Sequence, residues 1–356
     1  MFLTHYESVI CKVKKANQLL VLFGAGEFGN LIYNYLKEAE IKVDYFCDND
    51  YLKWGQYLYG LKVVSPNELS AISDRVNLLI TSAFYDEIEN QLTTKGFNNI
   101  YYLPLIFSQK YSREDIKIAD NKIDELMGFL EDDKSKQIIK KLIECRLTNN
   151  FIPMGSVADN ACLQYFDPDI IKLTDEEVFV DGGAYSGDTI NSLLSTTKGC
   201  FKMIHGFEPD EKTYHKLVDN LSRINDFNKI KLNQKGLYNK NTKIGFAFTN
   251  NMGSRIDERL ENNIKVVSLD QYLAKSEDVS FIKMDIEGAE KEAILGAKRV
   301  ILKFKPKLAI SIYHKPEDLW EIPLLIKSIN PHYQIYIRHY SPGNLETVCY
   351  GINREY

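Results

Sequence analysis

Two separate segments of the chain lead from a short apolar run through a glycine-rich turn into a helix-forming stretch. The first is LLVLFGAGEFGNLIYNYL, beginning at Leu19, and the second is EVFVDGGAYSGDTINSLL, beginning at Glu177. Glycines at such a turn adopt backbone conformations that other residues avoid, and they let a ligand approach the main chain. A strand, a glycine turn and a helix in this order begin a doubly wound α/β domain. Two such segments in 356 residues predict two of these domains.

Alternating strand and helix patterns follow both turns, and a helical region separates them. We predict an N-terminal Rossmann-like domain of five parallel strands over residues 1–107, a helical connector over 108–150 and a second domain over 151–356. The last two predicted strands, HYQIYIRHY and ETVCYGI, are joined by a short turn and must therefore be antiparallel. The predicted fold class is α/β, with two doubly wound domains and a terminal antiparallel hairpin on the second sheet.

Composition excludes several kinds of protein. The net charge is −5, so no basic field attracts nucleic acid or an anionic membrane. No apolar run approaches the roughly 18 residues that a membrane span requires, and the N-terminus lacks a signal-peptide pattern. The six cysteines are scattered, without a CxxC pair or zinc-ligand spacing. We therefore expect a cytoplasmic protein without nucleic-acid or membrane partners, and homodimer formation stays open.

The second glycine turn carries carboxylates in places where a phosphate-binding turn would not. Asp181 ends the strand and Asp188 opens the helix, and both would repel a pyrophosphate at the helix N-terminus. S-adenosylmethionine has no phosphate, and its ammonium and sulfonium are favoured by carboxylates. Glu208 ends the next strand, where an acid can accept hydrogen bonds from ribose hydroxyls. The turn therefore favours this methyl donor, although Asp188 could merely cap a helix and Glu208 could lie on the surface.

Three motifs in this order resemble the FkbM family of methyltransferases. They are VDGGAYSGDT, FEPDEKTYHKLVDNL and IKMDIEGAEKEAILGA, of which IEGAE is the most family-specific part. The resemblance runs from about Leu147 to the C-terminus. It implies a class I methyltransferase sheet and transfer of a methyl group from S-adenosylmethionine to a hydroxyl of a sugar or glycan precursor. The residues expected to bind the donor are Asp181, Gly182, Gly183, Ala184, Tyr185, Gly187, Asp188, Glu208, Pro209, Asp285 and Tyr165.

Polar residues at the ends of two later strands are the candidates for catalysis. Asp285 and Glu287 follow VSFIKM, and His314 follows LAISIY, so all three are expected at the carboxyl edge of the sheet. We predict that His314 is the general base, and that the two acids orient the acceptor or bind a cation. Glu287 and Glu290 could instead only charge the start of a helix, and His314 could only bind the acceptor. Oxygen ligation of Mg²⁺ stays open, and we assign no metal.

Three further residues are candidates for acceptor binding. Ser254 and Arg255 lie in NNMGSRI, which resembles a Gly-Ser-x-Arg stretch of the same family, although both could be turn residues. His339 lies near the final turn and is the third candidate.

The first glycine turn matches the dinucleotide fingerprint through Gly24, Gly26 and Gly29. Asp48 ends the following strand, where an acid that binds ribose is expected. The negative charge of Glu27 would repel a pyrophosphate at this helix start. The domain is also too short to contain a second half that would bind nicotinamide. The segment CDNDYLKWGQYLYGLKVVSPNEL resembles the nucleotide-sugar-binding domains of bacterial sugar acetyltransferases, which implies recognition of the acceptor.

Three other interpretations remain open. The chain could be an NAD-dependent sugar oxidoreductase or epimerase that uses the first glycine turn. It could be a binding protein in which a methyltransferase fold has lost its activity. The N-terminal domain could also serve only as a scaffold or for dimerisation.

Overall fold

The computed structural model describes residues 18–38, 40–82, 85–102, 112–148, 152–224, 226–247, 255–256, 263–273, 278–341 and 343–353. The chain divides into two units. The first contains Met1–Lys110 and Glu144–Gly155, and the second contains Tyr111–Ile143 and Ser156–Tyr356.

The first unit is built on a doubly wound sheet. Its strands are β1 (Leu19–Phe23), β2 (Tyr45–Cys47), β3 (Tyr57–Leu58), β4 (Leu61–Val64), β5 (Val76–Ile80) and β6 (Ile100–Tyr102), and its helices are α1 (Glu27–Glu38), α2 (Pro66–Ser70) and α3 (Tyr85–Thr94). The strand order is β3-β4-β2-β1-β5-β6, and all neighbours are parallel except β3 and β4. The five predicted parallel strands are confirmed, and only the short β3 was not predicted.

Among the residues that the structure describes, the second unit contains two helices that precede its main sheet, the second of which groups with the first unit from Glu144 on, and then eleven strands. The helices are α4 (Arg113–Phe129), α5 (Asp133–Thr148), α6 (Asp188–Thr196), α7 (Glu211–Leu221), α8 (Leu269–Tyr272), α9 (Glu290–Leu295), α10 (Lys298–Phe304) and α11 (Asp318–Ile329). The strands are β7 (Val178–Gly182), β8 (Met203–Phe207), β9 (Ile230–Asn233), β10 (Gly236–Leu237), β11 (Thr242–Ala247), β12 (Arg255–Ile256), β13 (Asn263–Val267), β14 (Phe281–Met284), β15 (Lys307–Ser311), β16 (Tyr333–His339) and β17 (Thr347–Asn353).

The main sheet of this unit has the order β16-β17-β15-β14-β7-β8-β9. Strand β17 is antiparallel to β15 and β16, and the other neighbours are parallel. Every residue of β7 and β14 is buried, because these central strands are covered on both faces. The predicted doubly wound sheet with a terminal antiparallel hairpin is therefore confirmed.

A smaller sheet in the second unit was not predicted. Its order is β10-β13-β11-β12, and it lies in the sequence between β9 and β14. Two of its strands, β10 and β12, have only two residues each, too few to carry an alternating apolar pattern. Among the described residues, no helix is long and apolar enough to cross a membrane.

Helices α4 and α5 lie in the region that we predicted as a connector. Helix α4 packs against α11. Near the start of α5, Oγ of Ser135 accepts a hydrogen bond from the backbone N–H of Ile337 in β16 at 2.8 Å. Residues Tyr111–Ile143 therefore group with the second unit instead of forming a separate element between the two domains.

Candidate active site

The second glycine turn brings the carboxyl ends of β7 and β14 into backbone contact. Gly183 has a φ of +75°, and a Cβ added there would lie 1.9 Å from the carbonyl oxygen of Asp285. The backbone N–H of Asp285 donates to the carbonyl of Gly182 at 3.0 Å. Gly187 caps the N-terminus of α6 with a φ of 88°. Glycine at 183 thus gives the turn a left-handed conformation and leaves no side chain between the two strand ends.

Glu208 lies at the end of β8, beside this turn. One carboxylate oxygen accepts a hydrogen bond from the backbone N–H of Tyr185 at 3.1 Å, and the other accepts from that of Asp210 at 2.9 Å. Each oxygen keeps a further lone pair, so the carboxylate can still accept ribose hydroxyls. Burial raises the pKa of Glu208 to about 7, even though the two backbone bonds lower it.

Asp181 was predicted to bind the donor, but its carboxylate contacts a lysine inside the fold. It is fully buried, and its carboxylate pairs with Nζ of Lys283 at 3.0 Å. Burial raises the pKa of Asp181 to about 6, against the opposing charge of Lys283. Lys283 also donates to the carbonyls of Gly182 at 3.3 Å and Gly183 at 2.9 Å. Asp181 therefore supports the glycine turn through Lys283, a residue that the sequence analysis missed.

The remaining predicted donor residues surround the same turn. Ala184 is fully buried, and Tyr185 has a φ of 45° and is 42% exposed. Asp188 is the exposed first residue of α6, and Pro209 is half-buried after β8. The cap of this helix is Gly187 and not Asp188, and Asp188 places a negative charge in its first turn; donor binding by Asp188 stays a prediction.

Asp285 ends β14 and holds the hydroxyls of two tyrosines. Tyr165 donates to one carboxylate oxygen at 2.8 Å, and Tyr313, which was not predicted, donates to the other at 3.0 Å. Burial raises the pKa of Asp285, but His314, Lys283 and the two hydroxyls outweigh it, so the net pKa is lowered. Asp285 is therefore an ionised carboxylate in the free protein.

His314 follows β15 and is surrounded by carboxylates. Its Nε2 lies 3.3 Å from Asp285 and 3.5 Å from Glu287, and its Nδ1 lies 2.9 Å from Glu290. Burial lowers the pKa of His314, but these three charges outweigh it and raise the pKa to about 10. The imidazole therefore carries a proton at neutral pH and cannot take another. This corrects the prediction that His314 is the general base.

Two further acids border this cluster. Glu287 has a φ of 56° and a side chain that is 33% exposed, and burial raises its pKa to about 8. Glu346 has a φ of 62°, accepts a hydrogen bond from Gln164, and has a pKa that burial raises to about 7. Left-handed backbone at residues other than glycine costs on the order of 1 kcal/mol, and it is concentrated at functional sites.

The three acceptor candidates outside the strand ends have different outcomes. His339 is fully buried, with one ring nitrogen 2.8 Å from the hydroxyl of Thr347 and the other 3.0 Å from the carbonyl of Gly343. It is therefore a core residue, which corrects its assignment to acceptor binding. Ser254 lies outside the described residues, and only the backbone of Arg255 is described, in β12.

In the first unit, the glycine turn is built for close packing. A Cβ at Gly29 would lie 1.9 Å from the carbonyl oxygen of Gly24, whereas one at Gly26 would meet open space. Asp48 follows β2 as predicted, but its carboxylate accepts hydrogen bonds from the backbone N–H of Ala25 and from Nζ of Lys53, both at 2.8 Å. Ligand binding by this turn stays a prediction.

Comparison with known families identifies the second unit. The methyltransferase FkbM domain model matches residues 181–336. Those residues are an FkbM-family methyltransferase domain. The FkbM resemblance of the motifs is thereby confirmed, and S-adenosylmethionine is the methyl donor.

The residues of this FkbM-family domain fit that donor. Gly183 lets the ends of β7 and β14 approach each other, and Glu208 beside this turn has lone pairs available for a ribose. Carboxylates outnumber cations around the turn, which favours the positive charges of the donor.

One solved structure supports the same assignment. Methyltransferase FkbM from Methylobacillus flagellatus KT is 25% identical, with a TM-score of 0.73 over 97% of this chain and 93% of that one. Fibrillarin from Aeropyrum pernix, solved with S-adenosyl-L-methionine, is 10% identical, with a TM-score of 0.32 over 51% of this chain and 70% of that one. Residues 16–100 match a model described as C2185-like, N-terminal. No curated protein matches the chain.

Replacing Glu208 with glutamine is expected to weaken the binding of S-adenosylmethionine by about 10- to 100-fold. Above its pKa of about 7, Glu208 is an ionised acceptor that contributes about 1.5–3 kcal/mol to a hydrogen bond, and the neutral amide loses part of this for each ribose hydroxyl, so the variants are compared at about pH 8.5. Titration calorimetry measures the change. Glu211→Gln, three residues on at the exposed start of α7, is the matched control and should bind the donor normally. Equal affinities in the two variants would place the ribose elsewhere.

Proposed function

We propose that the chain transfers a methyl group from S-adenosylmethionine to a hydroxyl of a sugar or glycan precursor in the cytoplasm. The bound donor supplies an electrophilic methyl group on sulfur. The acceptor oxygen forms a bond to the methyl carbon, the sulfur–methyl bond breaks, and the hydroxyl proton passes to a base. The observation that carries the proposal is the polar cluster of Asp285, Glu287 and His314 beside the donor turn.

The position of this cluster supports transfer to an acceptor that is bound there. The backbone of Asp285 touches the glycine turn directly, so groups held by its side chain lie next to the donor. Methyl transfer depends on alignment of the acceptor oxygen with the carbon–sulfur bond, and fixed hydrogen-bonding groups provide that alignment.

The chemical character of the cluster supports a hydroxylated acceptor. It offers carboxylate acceptors in Asp285 and Glu287, and a protonated imidazole donor in His314. Sugar hydroxyls both donate and accept hydrogen bonds, so neighbouring hydroxyls of one ring can be held by groups of both kinds. The free thiols of Cys47 and Cys349, both buried, suit a reducing compartment.

The base in this proposal is a carboxylate rather than the imidazole. His314 is already protonated, and its side chain is only 9% exposed. Glu287 is a third exposed and lies 3.5 Å from Nε2 of His314, so an acceptor can reach it from solvent. We assign proton removal to the ionised form of Glu287, so turnover should increase as the pH rises through its pKa of about 8, and we assign orientation of the acceptor to Asp285 and His314.

The proposal is tested with methyl-deuterated S-adenosylmethionine and a panel of uridine-, guanosine- and cytidine-diphosphate sugars. We expect one class of sugar to gain the labelled methyl group on oxygen, with an equal amount of S-adenosylhomocysteine, as measured by mass spectrometry and NMR. Glu287→Gln should lose most of the turnover while it binds the donor normally. Label found on nitrogen, carbon or sulfur of any acceptor would refute the O-methyl assignment. Failure of every sugar and glycan precursor to accept label would refute the substrate class.

A further inference from the structure

One imidazole and two carboxylates at the candidate active site lie close enough together to bind one metal ion, which methyl transfer alone does not require. Asp285, Glu290 and His314 each offer a ligand atom, and the three atoms lie within 4.8 Å of one another. They come from three different places in the second unit: the end of β14, the start of α9 and the third residue after β15. Such convergence of one nitrogen and two oxygens is the chemistry of a metal-ligand set.

The buried carboxylate of Glu290 is a second observation that points to a bound cation. Its side chain is fully buried, and one carboxylate oxygen accepts the backbone N–H of Ile286 at 2.7 Å. The other oxygen, Oε2, is buried and has no hydrogen-bond partner among the described residues. A buried carboxylate oxygen without a partner is costly, and such oxygens usually bind a metal or a cation.

We propose that Asp285, Glu290 and His314 bind a divalent cation of the Mn²⁺ type. Ligand atoms about 2.1 Å from such an ion lie roughly 3–4.2 Å apart, so the three atoms need to move together by less than about 1 Å. Binding of the ion would displace the proton of His314, and the neutral imidazole suits first-row transition ions, whereas Ca²⁺ and Mg²⁺ prefer oxygen ligands throughout. Mn²⁺ accepts both kinds of ligand.

The charge around the three ligands favours a cation. Glu287 and Glu346 border the cluster and Asp318 lies near Glu290, whereas the lysines that act on this group among the described residues are Lys283 and Lys315. A divalent ion would offset this excess of negative charge. Its chemical role rests on the proposed function: a hydroxyl bound to the ion loses its proton more readily, and Glu287 is free to take it because it is not one of the three ligands.

The test is titration of Mn²⁺ into the full chain, after treatment with a chelator and in the presence of saturating S-adenosylhomocysteine. This product lacks the sulfonium, so the donor's own positive charge does not compete. We expect one saturable site by electron paramagnetic resonance and calorimetry. Asp285→Asn and Glu290→Gln should each weaken Mn²⁺ binding by at least about tenfold.

Asp318→Asn is the matched control, because Asp318 is a buried carboxylate close to the cluster but outside the ligand set. It should bind Mn²⁺ within about threefold of the unmodified chain. Thermal unfolding and binding of S-adenosylhomocysteine confirm that each variant is folded. A chain without a saturable Mn²⁺ site overturns the proposal, and so does equal weakening by Asp318→Asn and Glu290→Gln.

The metal site and the proposed function can fail separately. Mn²⁺ binding with no methylated sugar keeps the metal site and refutes the substrate class. A methylated sugar formed by a chain that does not bind Mn²⁺ keeps the proposed function and refutes the metal site.

Discussion

Replacing Lys283 with methionine is expected to lower the free energy of unfolding by about 3–5 kcal/mol. Lys283 and Asp181 form an ion pair in which the side chains are 2% and 0% exposed. The methionine keeps much of the volume of the lysine but leaves the carboxylate of Asp181 buried without a counter-charge. Removal of one partner from a buried pair costs far more than the pair itself contributes, because the remaining charge stays desolvated.

The loss of unfolding free energy in Lys283→Met is expected to be larger at high pH than at low pH. The folded-state pKa of Asp181, about 6, already exceeds the value of roughly 3.9 in an unfolded chain. A carboxyl whose pKa rises on folding binds a proton more tightly in the folded state, so its contribution to stability decreases as the pH increases. In Lys283→Met the pKa of Asp181 should rise further above 6. The variant should therefore lose less stability, relative to the unmodified chain, at pH 6 than at pH 8.

Urea unfolding at both pH values measures these differences. Lys265→Met, at an exposed position on β13, is the matched control and should change stability by less than about 0.5 kcal/mol. The double variant Asp181→Asn with Lys283→Met removes both charges and should recover most of the loss. A loss below about 1 kcal/mol in Lys283→Met would show that the pair is not buried as described.

Much of the second unit follows from local sequence patterns. The strands β7 and β14 are mostly apolar and have an acid at or directly after their carboxyl ends, and central strands of a parallel sheet are buried along their whole length. Because parallel strands present their carboxyl ends at one edge, Asp181, Glu208 and Asp285 could be placed together from the sequence. The antiparallel hairpin followed from its short turn.

The partner of Asp181 could not be predicted in the same way. Lys283 pairs with it because Lys283 and Asp181 are opposite each other in the register of β14 and β7. That register is set by strand packing over a sequence separation of 102 residues. A lysine inside FIKM was nevertheless a signal, since a cation in a fully buried strand requires a counter-charge.

The chemical state of His314 also depended on tertiary structure. Its place after β15 was predictable, but its proton is held by three acids, of which Glu290 belongs to the first turn of a helix. The sequence interpretation of Glu290 as a residue that only charges this helix missed its contact with the imidazole. His339 shows the opposite error, because its polarity suggested ligand binding and the fold uses it as a core residue.

Replacing Gly183 with alanine is expected to lower the free energy of unfolding by about 3 kcal/mol or more, and to weaken donor binding by at least about tenfold. Two separate costs contribute. The φ of +75° disfavours any side chain, and the new Cβ would lie 1.9 Å from the backbone oxygen of Asp285. Backbone cannot rotate away as a flexible side chain can, so the ends of β7 and β14 must separate.

That separation also affects the donor site. The carbonyl of Gly183 accepts a hydrogen bond from Lys283 at 2.9 Å, and this bond would lengthen as the strand ends move apart. Movement of Asp285 would shift the acceptor cluster relative to the donor turn. We therefore expect turnover to fall more than donor affinity does, because turnover also requires the two substrates to be aligned.

The variant Gly199→Ala has the cost of the left-handed conformation without the cost of the close contact, so it separates the two. Gly199 has a φ of +81°, but an added Cβ would meet nothing within 4 Å. This variant should lose only about 1–2 kcal/mol, the cost of the left-handed conformation, and should bind S-adenosylmethionine normally. Chemical unfolding and titration calorimetry on both variants measure the difference. If Gly183→Ala lost no more than Gly199→Ala, the close contact between the strand ends would be absent. The glycine turn would then matter only for its conformation, and other residues that tolerate positive φ, such as asparagine, should replace Gly183 without loss of donor binding.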